Sequence, residues 1–305
     1  MGTARWSANE WTNYTRTAHV GKSTEQIYSS KTAEKELDAK NVKLRESRDS
    51  DINPQSNAVI IALDVTGSMD PVLDAMARGM NTVCTEIYNR KPISDPHIMC
   101  MGIGDATCDS YPIQVTQFEA DIRISKQLEK IYFERGGGGN LVESYNLAWY
   151  FAAMRTSIDC FEKRGKKGYL FTVGDEKMPD KLLKSHVKKY LNDDIDEDIE
   201  TRYLLEMVSR TYEVFHIIVR EGFNFRRMPD ECVKNWVNLL GERAIQLSDA
   251  KKLTEVIVSA IQINEGFSTE EVEESWDGDT SVIVREAIKG LTKSSKATSE
   301  GVVRL

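Results

Sequence analysis

The sequence predicts a three-layer α/β domain, Rossmann-like in form, with a mainly parallel sheet, helices on both faces and one antiparallel edge strand. Three observations predict it. Short continuous apolar runs recur along the chain, as expected of strands buried on both faces. Segments with apolar residues at helical spacing lie between them. Only one step, from Ile103 through Pro112, is short enough to turn a strand straight back on its neighbour. Strands that alternate with helices pair in parallel, because each return crosses a face of the sheet.

The elements follow in order. Residues 1–56 are rich in Ser, Thr, Asn, Lys and Glu and poor in aliphatic residues, too polar to form a core of their own. Trp6, Trp11, Tyr14 and Tyr28 stand out there, so an extended arm is expected, lying on the main domain or on another molecule. A helix is expected over 30–48. The run at 58–63 (AVIIAL) is the first buried strand, followed by a helix over 71–90. The spacing predicts further strands at 97–103, 113–118 (the edge strand), 168–173, 213–219 and 243–247. It predicts helices over 123–133, 141–163, 181–191, 198–211, 230–240 and 250–263. Beyond Gly266 the chain turns acidic, with a weak helix near 281–291. The expected division is an arm (1–56), an α/β domain (57–266) and an acidic tail (267–305).

Composition excludes several classes. The 305 residues are 40% hydrophobic and 29% charged, with a net charge of −8, an ordinary globular balance. No apolar run approaches the ~20 residues of a membrane span, and residues 1–30 lack the apolar stretch of a secretory leader. The five cysteines are scattered, without a CxxC pair, so free thiols in a reducing, cytoplasmic setting are expected. An acidic chain without a long basic run is a poor nucleic-acid ligand. Gly21-Lys22-Ser23-Thr24 mimics the end of a phosphate loop, but Arg16 stands where the loop needs its first glycine. His97 and His216 fall inside strand-like runs and read as core.

In a sheet of this kind ligands bind beyond the carboxyl ends of the strands. The first strand exits into Asp64-Val65-Thr66-Gly67-Ser68-Met69-Asp70-Pro71. In an extended segment alternate side chains share a side, so Asp64, Thr66 and Ser68 offer one carboxylate and two hydroxyls together. That is a hard-oxygen set suited to Mg²⁺ or Mn²⁺. Asn140 leaves the glycine loop GGGGN at a helix start, Asp175 and Glu176 follow the 168–173 strand, and Asp105 and Asp109 follow the 97–103 strand.

Asp64-Val65-Thr66-Gly67-Ser68 after an apolar strand resembles the DxSxS or DxTxS signature of von Willebrand factor type A domains, and the resemblance covers roughly Asn53 to Gly266. In that family the signature forms a metal-ion-dependent adhesion site. The resemblance implies a metal held by Asp64, Thr66, Ser68, Asn140 and Asp175, with Asp105 and Glu143 as weaker supporting candidates. Asn140 stands where the family has a threonine, and Gly174 precedes Asp175 where the family's glycine usually follows. The implied function is Mg²⁺-dependent protein–protein binding, without catalysis, in which a partner's acidic side chain completes the coordination. Intracellular bacterial and phage proteins of this form serve as adaptors, for example for MoxR-type AAA+ ATPases, or as assembly components, here with self-association through the arm. The alternative is a Mg²⁺-dependent phosphoesterase using the same strand-end carboxylates. Haloacid-dehalogenase-like phosphatases open with DxDxT, and Thr66 replaces the second Asp.

Overall fold

The computed structural model describes residues 4–134 and 140–293; for residues 68, 70–71, 73–74, 76–78 and 80–81 it describes the backbone only. The central sheet has six strands: β1 (Asn57–Asp64), β2 (Pro96–Ile103), β3 (Ile113–Val115), β4 (Gly168–Gly174), β5 (Tyr212–Val219) and β6 (Ala244–Leu247). Their spatial order is β6-β5-β4-β1-β2-β3. All pairs are parallel except β2–β3, the expected antiparallel edge. Among the described residues the helices of two turns or more are α1 (Ala8–Ala18), α2 (Asp70–Arg90), α3 (Tyr145–Met154), α4 (Lys184–Leu191), α5 (Thr201–Val208), α6 (Pro229–Leu240), α7 (Leu253–Glu265) and α8 (Gly278–Ile288).

Strand side chains alternate between two cores. Val59, Ile61 and Leu63 of β1 pack with α2 and α7, while Ala58, Ile60 and Ala62 pack with α3, α5 and α6. Both faces are covered, so the near-unbroken apolar runs have a direct cause. The chain leaves β1 for β2 and β3 on one side, then returns to β4, β5 and β6 on the other. The order therefore reverses between β1 and β4, the switch point at whose carboxyl end sheets of this kind form their ligand crevice.

The N-terminal segment is not an extended arm over its length. Ser7 caps α1, and Trp11 is 1% exposed within the core shared with α2. Trp6 stacks on Tyr88, with ring centroids 5.1 Å apart. Ser23 of the phosphate-loop look-alike caps the short helix Thr24–Ile27. At the other end, Val284 and Ile288 of α8 are fully buried in the same core.

One expected helix is absent and another is interrupted. Residues 30–48 hold a 3-10 turn (Ala39–Asn41) and a strand (Arg45–Ser47). The helix expected over 141–163 is broken: α3 ends at Met154, Thr156–Ile158 pairs in parallel with Arg45–Ser47, and a short helix Asp159–Arg164 follows. Arg155 stands at the break. Its guanidinium donates to the backbone carbonyls of Ala39, Val42 and Leu191 and pairs with Asp193, tying three segments together.

Candidate metal centre at the carboxyl end of the sheet

The crevice between β1 and β4 gathers the acidic residues. Asp64, the last residue of β1, is fully buried. Its Oδ1 accepts hydrogen bonds from the Thr66 backbone N–H at 2.9 Å and the Thr66 hydroxyl at 2.7 Å. Its Oδ2 accepts from the Tyr145 hydroxyl at 3.3 Å. Gly67–Met69 then forms a 3-10 turn into α2, where Pro71 suits the first helical turn. The Ser68 side chain lies outside the described residues, as do Gly136–Gly139 of the glycine loop.

Asp175 follows β4 across the crevice. Its Oδ2 accepts the N–H of Asn224 at 2.8 Å and of Phe225 at 3.4 Å, both in the short helix Phe223–Arg227 after β5. Two glycines make this approach possible. A Cβ on Gly174 would stand 1.8 Å from the Tyr145 hydroxyl, and one on Gly222 would stand 2.2 Å from Asp175 Cβ. Glu176 accepts from the Asn224 side-chain amide through Oε1, and its backbone carbonyl accepts the Trp236 indole N–H at 2.8 Å. Its Oε2 is buried without a hydrogen-bond partner. The same is true of Oε2 of Glu143, a residue only 2% exposed just before α3.

The loop after β2 repeats the pattern of the first. Asp105 accepts from the Thr107 N–H at 2.8 Å and hydroxyl at 2.7 Å, and from the Asn140 amide at 2.8 Å. Asp109 in turn accepts the Asp105 N–H at 2.7 Å. Asn140 also donates toward Thr107 and accepts from the Val142 N–H, so it is held to the Asp105 loop and makes no hydrogen bond to Asp64.

These acids act on one another. Burial, then the charge of Asp175, pushes Asp64 up to about 7. Burial, then the charges of Asp64 and Asp175, pushes Glu176 up to about 8. Glu143 is raised well above the carboxylate range by burial and by Asp64 and Glu176. Against this stack of negative charge, Arg227 relieves Glu176 only weakly.

Among the described residues, no group of three or more Asp, Glu, His or Cys side chains stands ready to hold one ion. The crevice instead offers two carboxylates, Asp64 and Asp175, with the Thr66 hydroxyl. That donor set fits a hard dication that keeps several water or ligand positions, because Mg²⁺ commonly takes only one or two protein carboxylates. The partnerless buried oxygens of Glu143 and Glu176 fit it too, since a buried carboxylate oxygen with no donor is costly unless a cation or water meets it.

Sequence reasoning missed the layer beneath. Tyr145, His216 and Trp236 stack under Asp64: the His216 and Trp236 rings lie 3.4 Å apart at 5°, and Tyr145 meets both edge-on. Full burial drives the His216 pKa well down, so the ring is neutral; its Nδ1 lies 2.8 Å from the Thr172 hydroxyl. The layer fixes Tyr145 against Asp64 and Trp236 against the Glu176 carbonyl. The sequence carried one signal for it, an aromatic residue opening the helix after the glycine loop.

No family model matches the chain, and no curated protein matches it in sequence. Solved structures similar to it include the pilus adhesin SpaC from Lactobacillus rhamnosus GG in an open conformation, at 9% identity and a TM-score of 0.46, covering 72% of this chain and 31% of the adhesin. Another is proximal thread matrix protein 1 from the mussel byssus, at 10% identity and a TM-score of 0.42, covering 74% of this chain and 47% of that one. A third is the conserved hypothetical protein BatB from Bacteroides thetaiotaomicron, at 14% identity and a TM-score of 0.31, covering 53% and 66%. The chain thus spans about a third of the adhesin and about half of the byssus protein. No helix among the described residues is long and apolar enough to cross a membrane.

Proposed function

We propose that the chain is a metal-dependent protein-binding module of the von Willebrand type A kind, an adaptor or assembly component. One observation carries the reading: Asp64 and Asp175 come from the two strands that flank the reversal in strand order, are both buried, and repel each other there. Asp64, Thr66, Ser68 and Asp175 would hold Mg²⁺ or Mn²⁺, and the dication would supply an electrophilic position for an acidic side chain of a partner protein. Thr66 and Tyr145 orient the Asp64 carboxylate, while the N–H groups of Asn224 and Phe225 orient that of Asp175. Asn140 steadies the Asp105 loop beside them.

The test is partner capture by the full chain in Mg²⁺ and in EDTA, for wild type and Asp64→Ala. The proposal expects capture lost on either change. Capture indifferent to both would leave the strand-end motif a purely structural turn. The phosphoesterase alternative predicts turnover of an aryl phosphate in Mg²⁺ that Asp64→Ala abolishes. The module reading expects none.

A further inference from the structure

The far edge of the sheet carries a second surface, which shares the short helix Phe223–Arg227 with the acidic crevice. β6 is an edge strand, and among the described residues nothing pairs with its outer side. The Arg220 N–H donates to the Leu247 carbonyl at 3.0 Å, in register with the pair Leu247↔Val219. In a parallel ladder a residue's N–H and C=O turn the same way. Leu247 and Ile245 therefore face β5, and Gln246 turns its N–H and C=O outward.

Beside Gln246 lies a groove of about 470 Å³ between β6 and α6. Val233, Val237 and Phe225 give it apolar walls, and Val237 is 43% exposed. Arg220 and Lys234 line it, with Asp230 the single carboxylate. Arg226 and Arg227 lie on the short helix that contributes Phe225. All four cations are exposed, and none has an ion pair among the described residues.

The geometry points to a docking surface for an extended acidic peptide segment of another protein, added as a strand beside β6. The Gln246 N–H and C=O would continue the ladder, an aliphatic side chain would seat between Val233 and Val237, and flanking carboxylates would meet Arg220 and Lys234. Charge selects this occupant. A second copy joined edge to edge would set like cations against each other. A nucleic acid would match the cations but leave the valine walls and the outward amide unused.

The test measures binding of the peptide fluorescein-aminohexanoyl-Glu-Glu-Val-Thr-Val-Glu-Glu-amide by anisotropy. Saturable binding is expected, with Lys234→Glu and Val237→Asp each weakening it roughly five- to tenfold. A peptide with Lys in place of Glu, or N-methylated at its central Thr, should lose it, and the Gln246 amide should gain hydrogen-exchange protection in the complex. Binding should be the same in EDTA and in Asp64→Ala, which separates this surface from the metal centre. No saturable binding, or binding untouched by Lys234→Glu and Val237→Asp in variants that melt as wild type, overturns the inference. So does a single-stranded DNA oligomer that binds more tightly and displaces the peptide.

Discussion

Replacing Asp64 with Asn should make the metal-free protein more stable at alkaline pH while removing its response to Mg²⁺. Asp64 titrates at about 7 instead of near 3.8, and Glu176 at about 8 instead of near 4.5. Between pH 4 and pH 8 the folded chain therefore keeps protons that the unfolded chain has released. Stability falls with rising pH wherever the folded state binds more protons. One group at full effect contributes ~1.4 kcal/mol per pH unit. The acids share one patch of charge, so the net slope is that of about one group. An unfolding entropy of ~2.1 cal/mol/K per residue converts this to about 2 °C of melting temperature per pH unit. Mg²⁺ at a hundredfold excess over its Kd adds ~2.7 kcal/mol, or about 4 °C on the same scale. The gain should be clear at pH 8 and small at pH 5, where protons occupy the same oxygens. The assay is thermal melting by circular dichroism from pH 5 to 8, in EDTA and in Mg²⁺. Asp64→Asn should flatten the EDTA profile, melt above wild type at pH 8 and ignore Mg²⁺. A wild type that gains stability steadily from pH 5 to 8 in EDTA, or a Mg²⁺ gain preserved in the variant, would refute the reasoning.

Other outcomes follow from the same contacts. Gly222→Ala puts a Cβ 2.2 Å from Asp175, so it should cost about 1–3 kcal/mol by overpacking and reduce the Mg²⁺ shift in melting. Tyr145→Phe removes the hydroxyl that lowers the Asp64 pKa; about 1 kcal/mol should be lost, and the pH profile should move upward, read by the same melts. Arg155→Ala removes a donor from three carbonyls, of which that of Ala39 keeps the Val42 N–H, and should destabilise by roughly 1–3 kcal/mol for each carbonyl left without a donor, measured by urea unfolding, with the Mg²⁺ response of the folded fraction unchanged.

The sheet was legible because both its faces are buried. A strand such as Ala58–Leu63 must then be apolar at every position, a pattern no exposed segment shares. The strand-end acids were legible as positions, since Asp64, Asp105 and Asp175 each follow such a run. Their company was not, because the contacts of Tyr145, His216 and Trp236 join residues far apart in sequence. The misread helices have two physical reasons. Periodicity reports which side chains are apolar, and it took the apolar residues around Arg155 as one continuous stripe. A buried guanidinium satisfied by three carbonyls from two distant segments leaves no periodic trace. Arg45–Ser47 looked helical for the complementary reason: the strand is polar because its partner, Thr156–Ile158, lies outside the main sheet.

The most direct measurement is a calorimetric titration of the metal-free chain with Mn²⁺ at pH 8, repeated on Asp64→Asn and Asp175→Asn. A single saturable site present in wild type and lost in both variants is the predicted result. No saturable site, or one that survives either substitution, would contradict a cation seat shared by the ends of β1 and β4.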